Sequence, residues 1–76
     1  MREMIINLLH EITPDITGDE TINLVEDGVI DSFDIANLVT SLEEAFDIEI
    51  DGEDIVPENF YNIMTIERLI IKTKQP

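Results

Sequence analysis

The chain has 76 residues, of which 18 are acidic and four are Lys or Arg, so its formal net charge is −14. This length predicts one small domain, residues 1–76, with a core too small for a deep active site. Hydrophobic residues make up 43% of the chain, too many for a disordered acidic tail, so we expect a folded protein. The charge excludes nucleic acid and anionic membranes as partners and favours proteins with basic patches.

The sequence also excludes several classes of protein. It has no cysteine, so disulfides and thiolate metal sites are excluded. The first segment, "MREMIINLLHEI", is amphipathic and lacks the unbroken apolar stretch of a signal peptide. No stretch approaches the ~20 apolar residues of a membrane span. We therefore expect a cytoplasmic protein that does not insert into a membrane.

A first helix is predicted over residues 2–12. Apolar residues recur there at helical spacing, at Met4, Ile5, Leu8, Leu9 and Ile12. Thr13 ends the helix, because a residue that precedes proline is pushed out of the helical region.

Residues 13–31 show no sustained period and contain Pro14, Gly18 and Gly28. A linker of this length is unusual in a small domain, so it predicts either a short helix near residues 19–24 or a functional loop. Its apolar residues predict that it is held against the core: Ile16, Ile22, Leu24, Val25, Val29 and Ile30.

A second helix is predicted over residues 32–46. Its wide apolar face consists of Phe33, Ile35, Ala36, Leu38, Val39, Leu42, Ala45 and Phe46. Asp31 is the expected N-cap, and Asp34 completes a pair that resembles a capping box. "DIEIDGED" then ends the helix, with Gly52 in a turn.

The remaining residues predict two more helices. Ile48 and Ile50 alternate as in a strand, but no second strand is available to pair with them. Pro57 favours a short third helix in "PENFYN", and Thr65 is a plausible N-cap for a fourth. The expected fold is all-α, a bundle of three main helices and one short helix.

Ser32 stands at the junction between the long linker and the second helix. As a nucleophile it would need a general base, but His10 is the only histidine and no G-x-S-x-G motif is present. We therefore expect no catalysis. Ser32 could simply be a helix-start residue, or it could be a modification site, since the N-terminus of a helix tolerates a phosphate ester.

The segment "GVIDSFDIANLVTSLEEAF" resembles the attachment motif of acyl and peptidyl carrier proteins. That motif is an Asp-Ser pair, a bulky apolar residue and an acidic helix with an apolar stripe. The resemblance extends over nearly the whole chain. It implies an acyl-carrier-protein-like four-helix bundle, which we expect to be monomeric.

The resemblance also implies a function. Ser32 would receive 4′-phosphopantetheine from a phosphopantetheinyl transferase, and the thiol of this arm would hold acyl or aminoacyl groups as thioesters. These would serve fatty acid, polyketide or related biosynthesis. Asp31, Asp34, Glu43 and Glu44 match acids that contact basic patches on the family's ligases, synthases and transferases. The residues expected to line the interior are Val29, Ile30, Phe33, Leu38, Leu42, Phe46, Ile50, Ile63 and Ile66.

Departures from the family pattern leave the cargo open. Phe33 replaces the usual leucine, and Asn37 stands where fatty-acid carriers often have glutamate. Phe33 could fill space that a lipid chain would otherwise occupy. "LVEDGVIDS" is similar to stand-alone carriers, including D-alanyl and peptidyl carriers, so these remain alternatives.

Two hypotheses of another class also remain. In the segment from Asp47 to Glu58, four residues match positions one, five, six and twelve of a calcium-binding EF-hand loop: Asp47, Asp51, Gly52 and Glu58. Asp54 at position eight and Pro57 at position eleven depart from that pattern. The second hypothesis is an acidic protein that mimics nucleic acid.

Overall fold

Three α-helices form the fold, in a computed structural model that describes residues 1–14 and 23–74. The elements in chain order are α1 (Arg2–Ile12), α2 (Ser32–Phe46), two 3-10 turns (Gly52–Asp54 and Pro57–Phe60) and α3 (Ile63–Lys74). No strand occurs in the described ranges. The all-α prediction is confirmed, and the bounds of α1 and α2 agree with those predicted. The short third helix is a 3-10 turn.

The ends of α1 and α2 are set by local interactions. Thr13 has extended backbone (φ −136°), as expected before Pro14, and its N–H donates to the carbonyl of Leu9 at 2.7 Å. At the C-terminus of α2, Asp47 adopts a left-handed conformation (φ 53°) and its N–H donates to the carbonyl of Glu43. Aspartate is among the residues that tolerate this conformation, so it ends the helix as glycine commonly does.

The predicted start of α3 was wrong. The helix begins at Ile63, and Asn62 rather than Thr65 lies at the N-cap. The Asn62 side chain accepts from the N–H of Thr65 at 2.9 Å, and the Thr65 hydroxyl accepts from the N–H of Asn62 at 3.1 Å. Asparagine caps as well as threonine, and starting at Ile63 places another apolar side chain in the core.

The core is entirely apolar among the described residues. α1 packs against both α2 and α3, and the second 3-10 turn packs on α3. The buried side chains are Ile5, Leu9, Leu24, Ile30, Ile35, Leu38, Val39, Leu42, Ile50, Phe60, Ile63, Ile66, Leu69 and Ile70. Val29 and Phe46 are half-buried against them. Most of the predicted interior is therefore confirmed.

Phe33 is the exception, because 74% of its surface is exposed. The buried residues of α2 are Ile35, Leu38, Val39 and Leu42. At 3.6 residues per turn, Phe33 points about 170° away from the centre of that stripe. Ala36 and Ala45 are exposed as well. The buried face of α2 is therefore narrower than predicted, and Phe33 does not fill the interior.

The long linker lies partly outside the described residues. The predicted helix near residues 19–24 falls mostly there, as do Ile16 and Ile22, while residues 24–28 form a turn. Leu24 and Ile30 are buried, so this end of the linker is held against the core as predicted. No helix of the described residues is long and apolar enough to cross a membrane.

Candidate functional site

Ser32 is the first residue of α2 and is exposed to solvent. Within residues 1–14 and 23–74, its hydroxyl has no hydrogen-bond partner. No hydrogen bond to a described residue therefore holds this oxygen, which lies at the N-terminus of α2.

Hydrogen bonds hold the backbone around Ser32 at the N-terminus of α2. Asp31 Oδ1 accepts from the N–H of Asp34 at 2.9 Å, and Asp34 Oδ2 accepts from the N–H of Asp31 at 3.2 Å. The N–H of Ile35 donates to the Asp31 carbonyl at 2.9 Å, which starts the helical ladder. This reciprocal capping box encloses Ser32 and fixes the backbone on both sides of it. The predicted cap of α2 and its pairing with Asp34 are thus confirmed.

The segment that enters α2 is tied to the core. The N–H of Leu24 donates to the carbonyl of Tyr61 at 2.7 Å, and the N–H of Ile30 donates to the carbonyl of Leu24 at 2.9 Å. Gly28 turns the chain between them with φ of 75°, a left-handed conformation that favours glycine. The side chains of Leu24 and Ile30 are buried in the core, so they fix the position of the backbone that leads to Ser32.

Two polar side chains stabilise the turn at residues 24–28 of this segment. Asn23 Oδ1 accepts from the N–H groups of Val25 at 3.0 Å and Glu26 at 2.8 Å. Asp27 Oδ2 accepts from the N–H of Asn23 at 2.9 Å. Asn23 and Asp27 therefore stabilise the turn by hydrogen bonds. The sequence pattern alone did not reveal this role.

The electrostatics of the tip suit an anionic ester. The N–H groups of Ser32 and Phe33 lie in the first turn and have no acceptor within the helix. With the helix dipole they provide partial positive charge next to the Ser32 oxygen. The four Lys and Arg residues of the chain all lie on α1 or α3. α2 itself therefore carries no basic side chain, and the partial positive charge at its N-terminus comes from the backbone.

The two glutamates near the end of α2 differ in their surroundings. Glu43 Oε2 accepts from the backbone N–H of Ile50 at 3.0 Å in a partly buried contact, whereas Glu44 is exposed. Glu43 therefore joins α2 to the segment that follows it. Sequence reasoning gave both residues the same role and missed this difference.

The segment predicted as an alternative calcium loop is held by internal contacts. Asp54 Oδ1 pairs with Lys72 Nζ of α3 at 2.7 Å, and the Asp54 carbonyl accepts from the Asn59 amide at 2.7 Å. The hydrogen bond from Lys72 Nζ to the Asp54 carboxylate, together with the negative charge of that carboxylate, raises the pKa of Lys72 above its ordinary 10.5. In the described part of the chain, no group of three or more acidic, histidine or cysteine side chains could hold a metal ion.

The fold and the site define a class of protein. It is a small helical domain with an exposed serine at the N-terminus of a helix, and a capping box holds the backbone there. Among curated proteins, the chain is 40% identical over 45 residues to Aminoacyl carrier protein 1 of Bradyrhizobium diazoefficiens. The match covers 59% of this chain and 50% of that relative. With the helical fold, this similarity supports assignment of the chain to the acyl carrier protein family.

The other two comparisons add no relative. No protein-family model matches the chain. No solved structure matches it either.

Proposed function

We propose that the chain is a carrier protein that holds acyl or aminoacyl groups on a 4′-phosphopantetheine arm attached to Ser32. The observation that carries this proposal is the exposed Ser32 hydroxyl, which has no hydrogen-bond partner among the described residues. The Asp-Ser motif, the capping box and the carrier relative support it.

The residues present fit the arm. Its attachment transfers phosphopantetheine from coenzyme A: a bond forms between Ser32 Oγ and the phosphorus atom that carries the pantetheine. The bond from that phosphorus to the adenosine portion breaks, and 3′,5′-adenosine diphosphate leaves. The hydroxyl proton passes to a base on the transferase. The N–H groups of Ser32 and Phe33 lie where they can face the resulting anionic phosphodiester.

The chain does not catalyse this step or later ones. Asp31, the carboxylate adjacent in sequence to Ser32, accepts from the N–H of Asp34 and serves as the cap. His10 lies on α1 and is exposed. Once attached, the arm supplies a thiol that forms thioesters. The contribution of the protein is to hold Ser32 at a fixed tip and to offer a surface that partner enzymes recognise.

The cargo we favour is an aminoacyl group. The relative at 40% identity is named an aminoacyl carrier, which supports this choice over a fatty acyl group. Asp31, Asp34 and Glu44 are the acids we propose for contact with basic patches on ligases and transferases. Exposed ion pairs of this kind are each worth about 0.2–1 kcal/mol, which suits a carrier that must leave each enzyme quickly.

Intact-mass measurement tests the attachment. The protein is incubated with coenzyme A and a broad-specificity phosphopantetheinyl transferase, and we expect a gain of one phosphopantetheine. Ser32→Ala should abolish the gain, while Ser41→Ala, which alters the only other serine in the chain, should keep it. A gain that survives Ser32→Ala, or no gain with several such transferases, would contradict the proposal.

Mass spectrometry of the naturally loaded protein tests the cargo. Hydroxylamine cleaves thioesters and captures the released group as a hydroxamate. An amino-acid hydroxamate is expected, and a fatty-acyl hydroxamate would show that the cargo assignment is wrong while leaving the carrier role in place.

A further inference from the structure

We propose that the peptide unit between Asp51 and Gly52 is a modification site, at which the folded chain isomerises spontaneously to isoaspartate. The product is a substrate for a methyltransferase that recognises isoaspartyl carboxylates and takes its methyl group from S-adenosylmethionine. The inference goes beyond the proposed function and does not depend on it. Both residues were singled out in the sequence, but only as part of a calcium-loop pattern.

Two Asp-Gly pairs occur in the chain, Asp27–Gly28 and Asp51–Gly52. Asp-Gly is the aspartyl pair most prone to this reaction, because glycine has no side chain to hinder its backbone nitrogen and leaves the backbone free to rotate. All four residues are exposed to solvent. Exposure therefore does not distinguish the two pairs, and the hydrogen bonds of the reacting groups decide between them.

The reaction joins the backbone nitrogen of the glycine to the side-chain carboxyl carbon of the aspartate. A bond forms from Gly52 N to Asp51 Cγ, the bond from Cγ to one carboxyl oxygen breaks, and that oxygen leaves as water with the amide proton and the acid proton. Water then opens the succinimide ring. Its attack on the backbone carbonyl carbon breaks the bond to Gly52 N and gives isoaspartate, whereas attack on Cγ restores aspartate. One water leaves and one enters, and nothing is oxidised or reduced.

At Asp27–Gly28, hydrogen bonds hold both reacting groups. Asp27 Oδ2 accepts from the N–H of Asn23 at 2.9 Å, and the N–H of Gly28 donates to the carbonyl of Val25 at 3.1 Å. Both bonds belong to the turn at residues 24–28, so the carboxyl group and the nitrogen cannot meet until the turn opens. The fold therefore protects this pair.

At Asp51–Gly52, both reacting groups lack such bonds. The Asp51 side chain makes no capping hydrogen bond, and neither its carboxylate nor the N–H of Gly52 has a hydrogen-bond partner among the described residues. A Cβ added at Gly52 would meet no atom within 4 Å, so there is space around the nitrogen. The extended backbone of Asp51 (ψ 141°) must rotate for ring closure, which opens one bond, from the N–H of Asp54 to the Asp51 carbonyl.

Isomerisation adds one carbon atom to the backbone at a place that is anchored on both sides. Before it, the N–H of Ile50 is bonded to Glu43, and after it, Asp54 is paired with Lys72. The Asp51 carbonyl accepts from the N–H of Asp54 at 2.9 Å and closes the first 3-10 turn. A longer backbone between fixed ends cannot keep this bond, so the Asp54 amide should exchange faster in the isomerised protein.

Ageing of the full chain in water labelled with heavy oxygen, at neutral pH and physiological temperature, tests the inference. Isoaspartate gains one labelled oxygen and gives diagnostic backbone fragments under electron-transfer dissociation. In the folded protein, we expect it at Asp51 at least about tenfold faster than at Asp27, whose carboxylate and neighbouring nitrogen must first lose their hydrogen bonds. In guanidinium chloride the two pairs should react at comparable rates, because the fold no longer holds either one.

Methyl transfer gives a second readout, with an isoaspartyl methyltransferase and radiolabelled S-adenosylmethionine as the probe. Asp51→Glu keeps the charge but would need a larger, less favourable ring, so the aged variant should accept almost no methyl groups. Asp27→Glu is the matched control and should accept as many as the aged wild type. Equal rates at the two pairs in the folded protein, or methyl acceptance that survives Asp51→Glu, would overturn the proposal. So would isoaspartate that forms at Asp51 only in denaturant.

Discussion

The hydrogen bond from Ile50 to Glu43 predicts that two adjacent glutamates differ sharply in their effect on stability. The bond is 3.0 Å long and partly buried, and the Ile50 side chain is only 6% exposed. A hydrogen bond to a charged acceptor is worth about 1.5–3 kcal/mol, and its loss leaves the N–H of Ile50 without that partner. Glu44 is exposed, so its removal should change the free energy of unfolding by about 0.5 kcal/mol or less.

The matched variants are Glu43→Ala and Glu44→Ala, measured by thermal unfolding. Each removes one negative charge, so relief of repulsion in the acidic chain affects both alike, and the difference isolates the hydrogen bond. For a domain of this size, about 1.5–3 kcal/mol lowers Tm by roughly 6–24 °C. Glu43→Gln keeps a neutral acceptor for the N–H of Ile50, so its Tm should fall by about half as much as that of Glu43→Ala.

Hydrogen exchange gives a second measurement on the same variants. The amide of Ile50 should be protected in the wild type and in Glu44→Ala, and should exchange faster in Glu43→Ala. Equal Tm values for the two alanine variants, with unchanged exchange at Ile50, would refute the structural role given to Glu43. Glu43 would then be equivalent to Glu44 as a surface residue.

Two further predictions concern the segment that presents Ser32. Asp31→Ala removes the acceptor for the N–H of Asp34 and should lower the free energy of unfolding by about 1 kcal/mol, which urea denaturation measures, while Asp31→Asn should lose less because it keeps a side-chain oxygen. Gly28→Ala should destabilise by about 1–2 kcal/mol in the same assay, because an L-residue is strained at φ of 75° even though an added Cβ would meet no atom within 4 Å.

Each of these predictions has an internal control. An Asp31→Ala protein as stable as the wild type would show that the capping box does not hold the tip. For the glycine, Gly52→Ala is the matched variant, because its added Cβ also meets nothing within 4 Å and its φ lies outside the left-handed range. If Gly28→Ala and Gly52→Ala unfold at the same urea concentration, the backbone at Gly28 is not strained by an added Cβ.

The helices were readable from the sequence because their signals are local. For α1, the helical spacing of Leu8, Leu9 and Ile12 predicted the helix, and Thr13 before Pro14 predicted its end. These signals all lie close together in the sequence. The Asp31–Asp34 pair likewise marked the start of α2, since a capping box involves only four neighbouring residues. Ser32 could be singled out for the same reason, because its place beside the cap depends on the adjacent sequence alone.

Other features depended on contacts between distant parts of the chain. The choice of Asn62 over Thr65 as the cap of α3 followed from placing Ile63 in the core. The role of Glu43 required the chain to return after α2 and bring the Ile50 amide within reach. A periodic pattern says which residues share a face, but not which neighbours that face will meet.

Phe33 shows where the two kinds of information separate. The sequence by itself determined that an aromatic ring follows Ser32 in the first turn of a helix, because helix formation and capping are decided by nearby residues. Only the tertiary structure decided that the ring faces solvent. The direction of the core is set by α1 packing on α2, and that packing buries the side opposite the ring.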